Sequence, residues 1–417
     1  MTGTGWDCVA LKDFCLKIGS GSTPRGGDSV YVDEGTALVR SQNIYNGKFA
    51  YQGLVYLTDR EAEAMRGVTV QSGDVLLNIT GDSVARCCVA PENVLPARVN
   101  QHVSIIRPRP DAFIARFVAY YLVSPFMQET MLSMAGGGGT RKALTKDMIE
   151  RLTVPKPTVD RQERIVEVLA GYDDLIDNNR RRIKLLEDSA RLVFDEWFVR
   201  CRFPGSAPLI RGGDLPSGWS RKPLGQLTAK IGSGATPRGG DASYVEDGIA
   251  LIRSQNVYDY DFVEDGLAHI NDDQAALLNG VAVEPEDVLL NITGASVARC
   301  CTVPQRLIPA RVNQHVMIIR ADQRKVNPYY LLCAINSDER KRQLLSYAQT
   351  GSTREALTKD LMSNFEVIVP DAAPMHAFAE FAGDAFRQRE VLAEQNLKLR
   401  TARDLLLPRL MSGQLAV

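Results

Sequence analysis

Four short polar motifs occur twice in this chain, and arginine or lysine stands in three of them. The first, Gly19-Ser-Gly-Ser-Thr-Pro-Arg-Gly-Gly27, returns as Gly232-Ser-Gly-Ala-Thr-Pro-Arg-Gly-Gly240. Its glycines permit close main-chain approach to a ligand, and Thr23, Arg25, Thr236 and Arg238 have the chemistry to hold a phosphate. A wide surface turn is the competing reading, because the sequence is neither a Walker loop nor a dinucleotide fingerprint. The second motif, Arg40, Ser41, Gln42 and Asn43, is matched by Arg253, Ser254, Gln255 and Asn256, each after an apolar strand. Arginine pairs with guanine, and Gln or Asn with adenine, through two hydrogen bonds each, so the cluster suits base-edge reading better than a plain polar strand end.

The third motif, Asn78-Ile-Thr-Gly81 and Asn291-Ile-Thr-Gly294, closes an apolar strand and is expected to be a glycine-terminated turn. Its match to a glycosylation sequon has no meaning in a chain without a signal peptide. Asn100-Gln101-His102 and Asn313-Gln314-His315 precede further strands, but neither His has a nucleophile or a second His at motif spacing, which argues against catalysis. The fourth motif runs from Gly136 to Lys142 and from Gln349 to Glu355. It carries Thr140-Arg141 or Thr353-Arg354 towards Lys146 or Lys359, as suits a mobile loop with a basic tip that orders on a phosphate backbone; a plain linker is the alternative. No catalytic residue and no metal ligand set is expected, and no cofactor loop is visible.

These motifs recur because the chain repeats itself. Residues 5–154 and 218–367 align without a gap at an offset of 213. Between Lys17 and Arg107 roughly three positions in five are identical. Two cores of ordinary domain size fit within 417 residues. A formal net charge of −1 is silent about nucleic acid, since a basic face offset by acidic helices gives the same total. No run of about 18 apolar residues exists to span a membrane, and the N-terminus lacks the regions of a signal peptide, so a cytoplasmic location is expected. The adjacent pairs Cys87-Cys88 and Cys300-Cys301 are read as reduced strand cysteines. Asn327-Pro328-Tyr329-Tyr330 resembles an amino-methyltransferase signature, but the first copy lacks it; a cap and first-turn proline opening a helix explain it better.

Each copy is followed by a helical pattern. Ile165, Leu169, Tyr172, Ile176, Asn179, Ile183, Leu186, Ala190, Val193 and Trp197 alternate spacings of four and three, a coiled-coil seam with one polar position at Asn179. In the last segment Ala385, Leu392, Leu399 and Leu406 recur every seven residues, with Asn396 beside the seam and Pro408 expected to end the pattern. At about 1.5 Å per residue the first rod is on the order of 50 Å, or roughly 14 base-pair steps. Antiparallel pairing of the two helices would relate the copies by a pseudo-two-fold axis, the symmetry of duplex DNA.

The order of these features resembles the specificity subunit of Type I restriction-modification systems. The resemblance covers essentially the whole chain. It rests on the Leu215-Pro-Ser-Gly-Trp219 opening, Arg40-Ser-Gln-Asn43, Gly73-Asp-Val-Leu-Leu77, the helical spacers, and the ending from Leu399 to Gly413. It implies α/β (α+β) target-recognition domains in two tandem copies, each followed by a long helix, with the helices paired as an antiparallel coiled coil. The corresponding division is recognition domain 1 at 1–157, central spacer at 158–200, linker at 201–217, recognition domain 2 at 218–371 and C-terminal spacer at 372–417. The implied partners are double-stranded DNA, two methyltransferase subunits that carry S-adenosylmethionine, and in some complexes restriction subunits with ATP-dependent translocase and nuclease activity. No membrane is implied. Family members usually carry divergent recognition domains. Here they are close copies, so the expected target is an interrupted palindrome or close to one. Gly47-Lys48 against Tyr260-Asp261, and Asp82 against Ala295, leave room for a partial mismatch between the halves. The competing readings are a subunit of a methylation-only or other restriction system, a self-contained DNA-modifying enzyme, and a coiled-coil adaptor that binds protein alone.

Overall fold

The computed structural model describes residues 6–136, 142–205, 215–349, 356–415 and 417. In each copy short β-rich runs build two small sheets. The first copy has an antiparallel four-stranded sheet in the order Cys87–Val89, Val75–Asn78, Val103–Pro108, Cys15–Ser20. Its five-stranded sheet runs Tyr31–Val32, Val55–Leu57, Thr36–Val39, Ala97–Val99, Thr69–Val70 and is antiparallel except where Thr36–Val39 meets Ala97–Val99. The second copy repeats both strand orders.

Within the four-stranded sheet Val75–Asn78 and most of Cys87–Val89 and Val103–Pro108 are buried on both faces and read as apolar runs, while the edge strand Cys15–Ser20 is mostly half-buried or exposed. Side chains alternate across it. Leu76, Cys88 and Ile105 join Ala37, Val39 and Val99 in a core between the sheets. Their neighbours Val75, Leu77, Cys87 and Ile106 join Phe113, Phe117, Ile165 and Leu169 on the helical side. Leu289, Cys301 and Ile318 against Leu290, Cys300 and Ile319 do the same in the second copy. Alternation also separates the adjacent cysteines. Cys87 and Cys88 point into different cores, and all eight cysteines lack a disulfide. With mostly antiparallel sheets flanked by helices, each copy is of the α+β kind.

Two long helices follow the copies, the central one at Val159–Phe194 and the C-terminal one at Ala372–Met411. The chain separates into two compact units, 1–177 with 396–417 and 178–395, so each unit takes half of each helix. Within the first unit Ile165 and Leu169 share a core with Leu407, Leu410 and Met411, and Asp173 pairs with Arg403 at 2.7 Å, an antiparallel arrangement. Within the second, Glu187 pairs with Arg389 at 2.6 Å while Phe194 meets Phe378 at 5.7 Å, antiparallel again. The start of the central helix is pinned by fully buried Gln162, which donates to the carbonyls of Ala112 and Pro157 and accepts from Ile114 N.

The seam departs from a strict heptad at three places. Ile165, Leu169, Ile176, Asn179 and Leu392 are buried, but Tyr172, Ile183, Leu186, Leu399 and Leu406 are half-buried. At the end of the central helix Phe194 and Phe198 take the core in place of Val193 and Trp197; there the backbone becomes a π-turn, Asp195–Val199, whose wider step changes the phase. Pro408 does not end the C-terminal helix, which continues to Met411. An interior proline costs about 3 kcal/mol. Burial of Leu407, Leu410 and Met411 in the first unit's core returns about 1.5–3 kcal/mol each, so the helix continues. Asn327 caps its helix as expected, accepting from Tyr329 N at 2.9 Å and Tyr330 N at 3.2 Å, with Pro328 in the first turn.

Candidate nucleic-acid interface

The motifs converge on one polar face in each copy, and the strand ends bring them there. Gly21 leaves its strand so close to the next turn that a Cβ would lie 2.0 Å from Val99 O; Gly234 stands likewise 2.0 Å from Val312 O. Only glycine fits this crossing. It sets Thr23 against Gln101, to whose Oε1 the threonine hydroxyl donates. Gln101 Nε2 hydrogen-bonds with His102 Nε2 at 3.0 Å, and His102 Nδ1 with Thr80 Oγ1 at 2.7 Å. The second copy repeats the chain from Thr236 through Gln314 and His315 to Thr293, with distances of 2.5, 3.0 and 2.7 Å. Each histidine is therefore a link between loops.

Asn78, fully buried, ties the turn to the second motif by donating from Nδ2 to Ser41 O at 2.9 Å, as Asn291 does to Ser254 O at 2.8 Å. The turn returns to the same asparagine: Asn78 N donates to Arg86 O and Ala85 N to Asn78 O. Closing it in this number of residues forces Ala85 to φ 73° and Ala298 to φ 67°, the left-handed region that disfavours a Cβ. Strain kept at the same place in both copies marks a turn whose shape matters. The fourth motif arrives here too, with Gly81 N donating to Lys142 O at 3.1 Å and Leu144 N to Ile79 O at 2.8 Å.

In the second copy this face forms an open concavity of about 460 Å³. Ser254, Gln255 and Tyr258 line one side, the turn Thr293–Ser296 and His315 the other, and Arg299 stands over the Tyr258 ring at 4.5 Å. The first copy has the same pairing of Arg86 with Tyr45 at 4.9 Å. Both tyrosines are exposed. A cation stacked on an exposed aromatic ring, beside amide and hydroxyl groups held in fixed directions, is equipped to meet phosphate and base edges together.

The predicted site residues divide. Arg25 and Arg238 are exposed at the loop tips. Several amides of the loop are already engaged, Gly21 N with Val103 O, Ser22 N with Val99 O and Gly27 N with Pro24 O, so it is not an open phosphate nest. Ser41, Gln42, Ser254 and Gln255 stand on the shared face, although Gln42 Nε2 also donates to Gly53 O at 3.0 Å and Gln255 Nε2 to Gly266 O at 3.1 Å. Asn43 and Asn256 do not belong in the site. Both are fully buried; each accepts from the arginine three residues back and donates to two carbonyls of the following loop, Ala50 and Gln52 or Val263 and Asp265. Arg40 and Arg253 are clamps as well, donating to Gly53 O at 2.7 Å and Gly266 O at 2.5 Å and lying over Tyr31 and Tyr244. Burial and a hydrogen bond donated to Asp28 or Asp241 raise those tyrosine hydroxyls, which keeps the rings neutral beneath the guanidinium. Lys146 faces Glu150 at 3.4 Å one helical turn on, and Lys359 is exposed at the matching position. Thr140, Arg141, Thr353 and Arg354 lie outside the described residues.

Arg86, Arg299, Tyr45, Tyr258, Gln101 and Gln314 were not singled out as contacts from the sequence. Their signal was present in the exact repetition of Ser-Val-Ala-Arg after the Asn-Ile-Thr-Gly turn, a polar residue kept between apolar ones. The divergent pair Gly47-Lys48 and Tyr260-Asp261, by contrast, has no part in this face. Tyr260 is buried and stacks at 6.4 Å on Phe386 of the C-terminal helix, and Asp261 pairs with Arg389 at 2.9 Å.

Among the described residues no cluster of potential ligands could hold a metal ion, and no helix is long and apolar enough to cross a membrane. Residues 4–188 match the family model of the Type I restriction modification DNA specificity domain. The chain is 24% identical to the Type I restriction enzyme MjaIX specificity subunit of Methanocaldococcus jannaschii, over 99% of this chain and 94% of that one. It is 19% identical to the HindI specificity subunit of Haemophilus influenzae, over 91% and 94%. The crystal structure of a Type I restriction-modification S subunit from M. genitalium superposes with a TM-score of 0.63 at 12% identity, covering 98% of this chain and 96% of that one, a likeness of fold. The matched domain lies in the first copy, and the likeness to these relatives extends over nearly the whole chain: residues 4–188 carry a Type I restriction modification DNA specificity domain, and the chain as a whole is similar to Type I specificity subunits.

Proposed function

We propose that this chain reads the two halves of a bipartite DNA site, one with the polar face of each domain copy, and does no chemistry on the DNA itself. The observation that carries the reading is the recurrence, in two compact units, of the same hydrogen-bonded loops around the same half-buried arginine stacked on an exposed tyrosine. Packing alone would not keep exposed polar groups alike in both copies; a shared ligand would. Eight of the nine positions lining the concavity are identical between copies, which supports half-sites that are nearly the same and a target close to an interrupted palindrome.

The long helices are assigned the second task, holding two methyltransferase subunits that bring S-adenosylmethionine and the adenine-methylating chemistry, in the cytoplasm. Leu175 and Leu405 in one unit and Leu185, Leu192 and Val391 in the other are exposed apolar side chains on those helices, suited to a protein partner. Restriction subunits could join the same core.

Co-expression with the neighbouring methyltransferase, followed by DNA binding across a salt series, tests this. Specific binding whose affinity falls steeply with salt is expected of the complex. Binding without salt dependence or sequence preference would favour a protein-only adaptor, and methylation by the purified chain alone would overturn the division of labour.

A further inference from the structure

Resting on that reading, we infer that Asp82 is the residue that makes the two half-sites differ, and that they differ at one base position. Around the concavity the copies disagree only here, where the first has Asp82 and the second Ala295. Both side chains are exposed, and both follow a left-handed glycine, Gly81 at φ 74° and Gly294 at φ 72°, in turns closed by the same hydrogen bonds. The backbone therefore presents a carboxylate in one copy and a methyl group in the other from the same place.

Other differences near the motifs are tied up in contacts of their own. Asn46, though exposed, is engaged with Cys87 N and Gln128, as its counterpart Asp259 is with Cys300 N and Lys341. Tyr260 and Asp261 serve the C-terminal helix. Among the residues that line the concavity, position 82 is left as the one chemical asymmetry; beside it Lys142, whose carbonyl meets Gly81 N, is replaced by Glu355 in the second copy.

The two groups recognise different base edges. A carboxylate accepts from the exocyclic amine of cytosine and is repelled by the acceptor-only edge of guanine, whereas a methyl group packs on the thymine methyl and makes no demand for a donor. The first domain thus selects a base presenting an amine at the position Asp82 faces, and the second tolerates or prefers thymine at the matching position of the other half.

The test is selection of bound sites from a randomised duplex library by the complex of the full chain with its methyltransferase subunits. Wild type should yield two half-sites that agree at every specified position but one, with a preference of about 5- to 150-fold at that position in the first half. Asp82→Ala introduces the residue the second copy already carries on the same backbone, and should turn the selected site into a full interrupted palindrome. Ala295→Asp should give the complementary palindrome. Asp82→Ala selecting the wild-type site unchanged, or wild-type half-sites that differ at several positions, would overturn the inference. Failure of wild type to enrich any sequence would instead overturn the DNA-recognition reading beneath it.

Discussion

Asp74 is fully buried, and it accepts three hydrogen bonds: from Arg107 Nε at 2.7 Å, Arg107 Nη2 at 2.8 Å and Gln71 N at 2.7 Å. Asp74→Ala strands all three donors. Removing one partner of a buried pair costs about 3–5 kcal/mol. The Arg107 side chain is 16% exposed and keeps a bond to Thr69 O, so the low end of that range, about 3 kcal/mol, is expected. The second copy carries the same fork, Arg320 on Asp287, but Glu284 replaces Gln71 and also pairs with Arg320. Glu284 is 60% exposed, so it preserves at most about 1 kcal/mol in Asp287→Ala. Hydrogen exchange of the intact chain resolves the two, with Val75–Asn78 and Val288–Asn291 as reporter strands. Asp74→Ala should speed exchange of the first strand by about 150-fold and leave the second nearly unchanged; Asp287→Ala should do the reverse with a somewhat smaller factor. Acceleration of the first strand by less than about fivefold would refute the argument that stranding these buried donors destabilises the first copy.

Asn43→Ala and Asn256→Ala should each cost about 2 kcal/mol in chemical denaturation by stranding loop carbonyls, with wild-type base preference in the residual folded complex. Loss of sequence preference without loss of stability would return these residues to the interface. Arg86→Ala and Arg299→Ala should leave stability within about 0.5 kcal/mol yet lower DNA affinity and reduce the salt slope by about one each, measured by titration at several salt concentrations. Gly21→Ala should prevent stable folding of the first copy, since its Cβ overlaps a main-chain carbonyl, and thermal unfolding of the soluble fraction would show it. Thiol labelling at pH 9 should modify exposed Cys8 first; burial pushes Cys88 and Cys301 up to about 12, so they stay protonated and unreactive until the chain unfolds. Rapid labelling of either pair in the native state would contradict the two-core arrangement.

Much of this architecture was legible in the residues. The gap-free repeat defines two like domains, the apolar runs define doubly buried strands, and the spacing of Ile165, Leu169 and Ile176 defines a helix with a buried stripe. Such properties are local or periodic, and periodicity survives folding because pleat and helix impose it. The heptad failed where a local detail changed its phase, at the π-turn that contains Phe198, and where long-range burial outweighed a breaker, at Pro408.

The interface was legible only in part. Types and repetition brought out the motifs, but a conserved polar residue reads the same whether it points at a ligand or at its own backbone. Asn43 and Arg40 turned inward because a loop some ten residues later needed its carbonyls held, and Arg86 turned outward because a strained alanine at the turn aims it there. The sequence alone determined that two equivalent domains and two long helices exist, since identity and periodicity need no coordinates. Only the tertiary structure decided which polar groups remain available to a ligand, because that depends on which donors and acceptors folding has already satisfied.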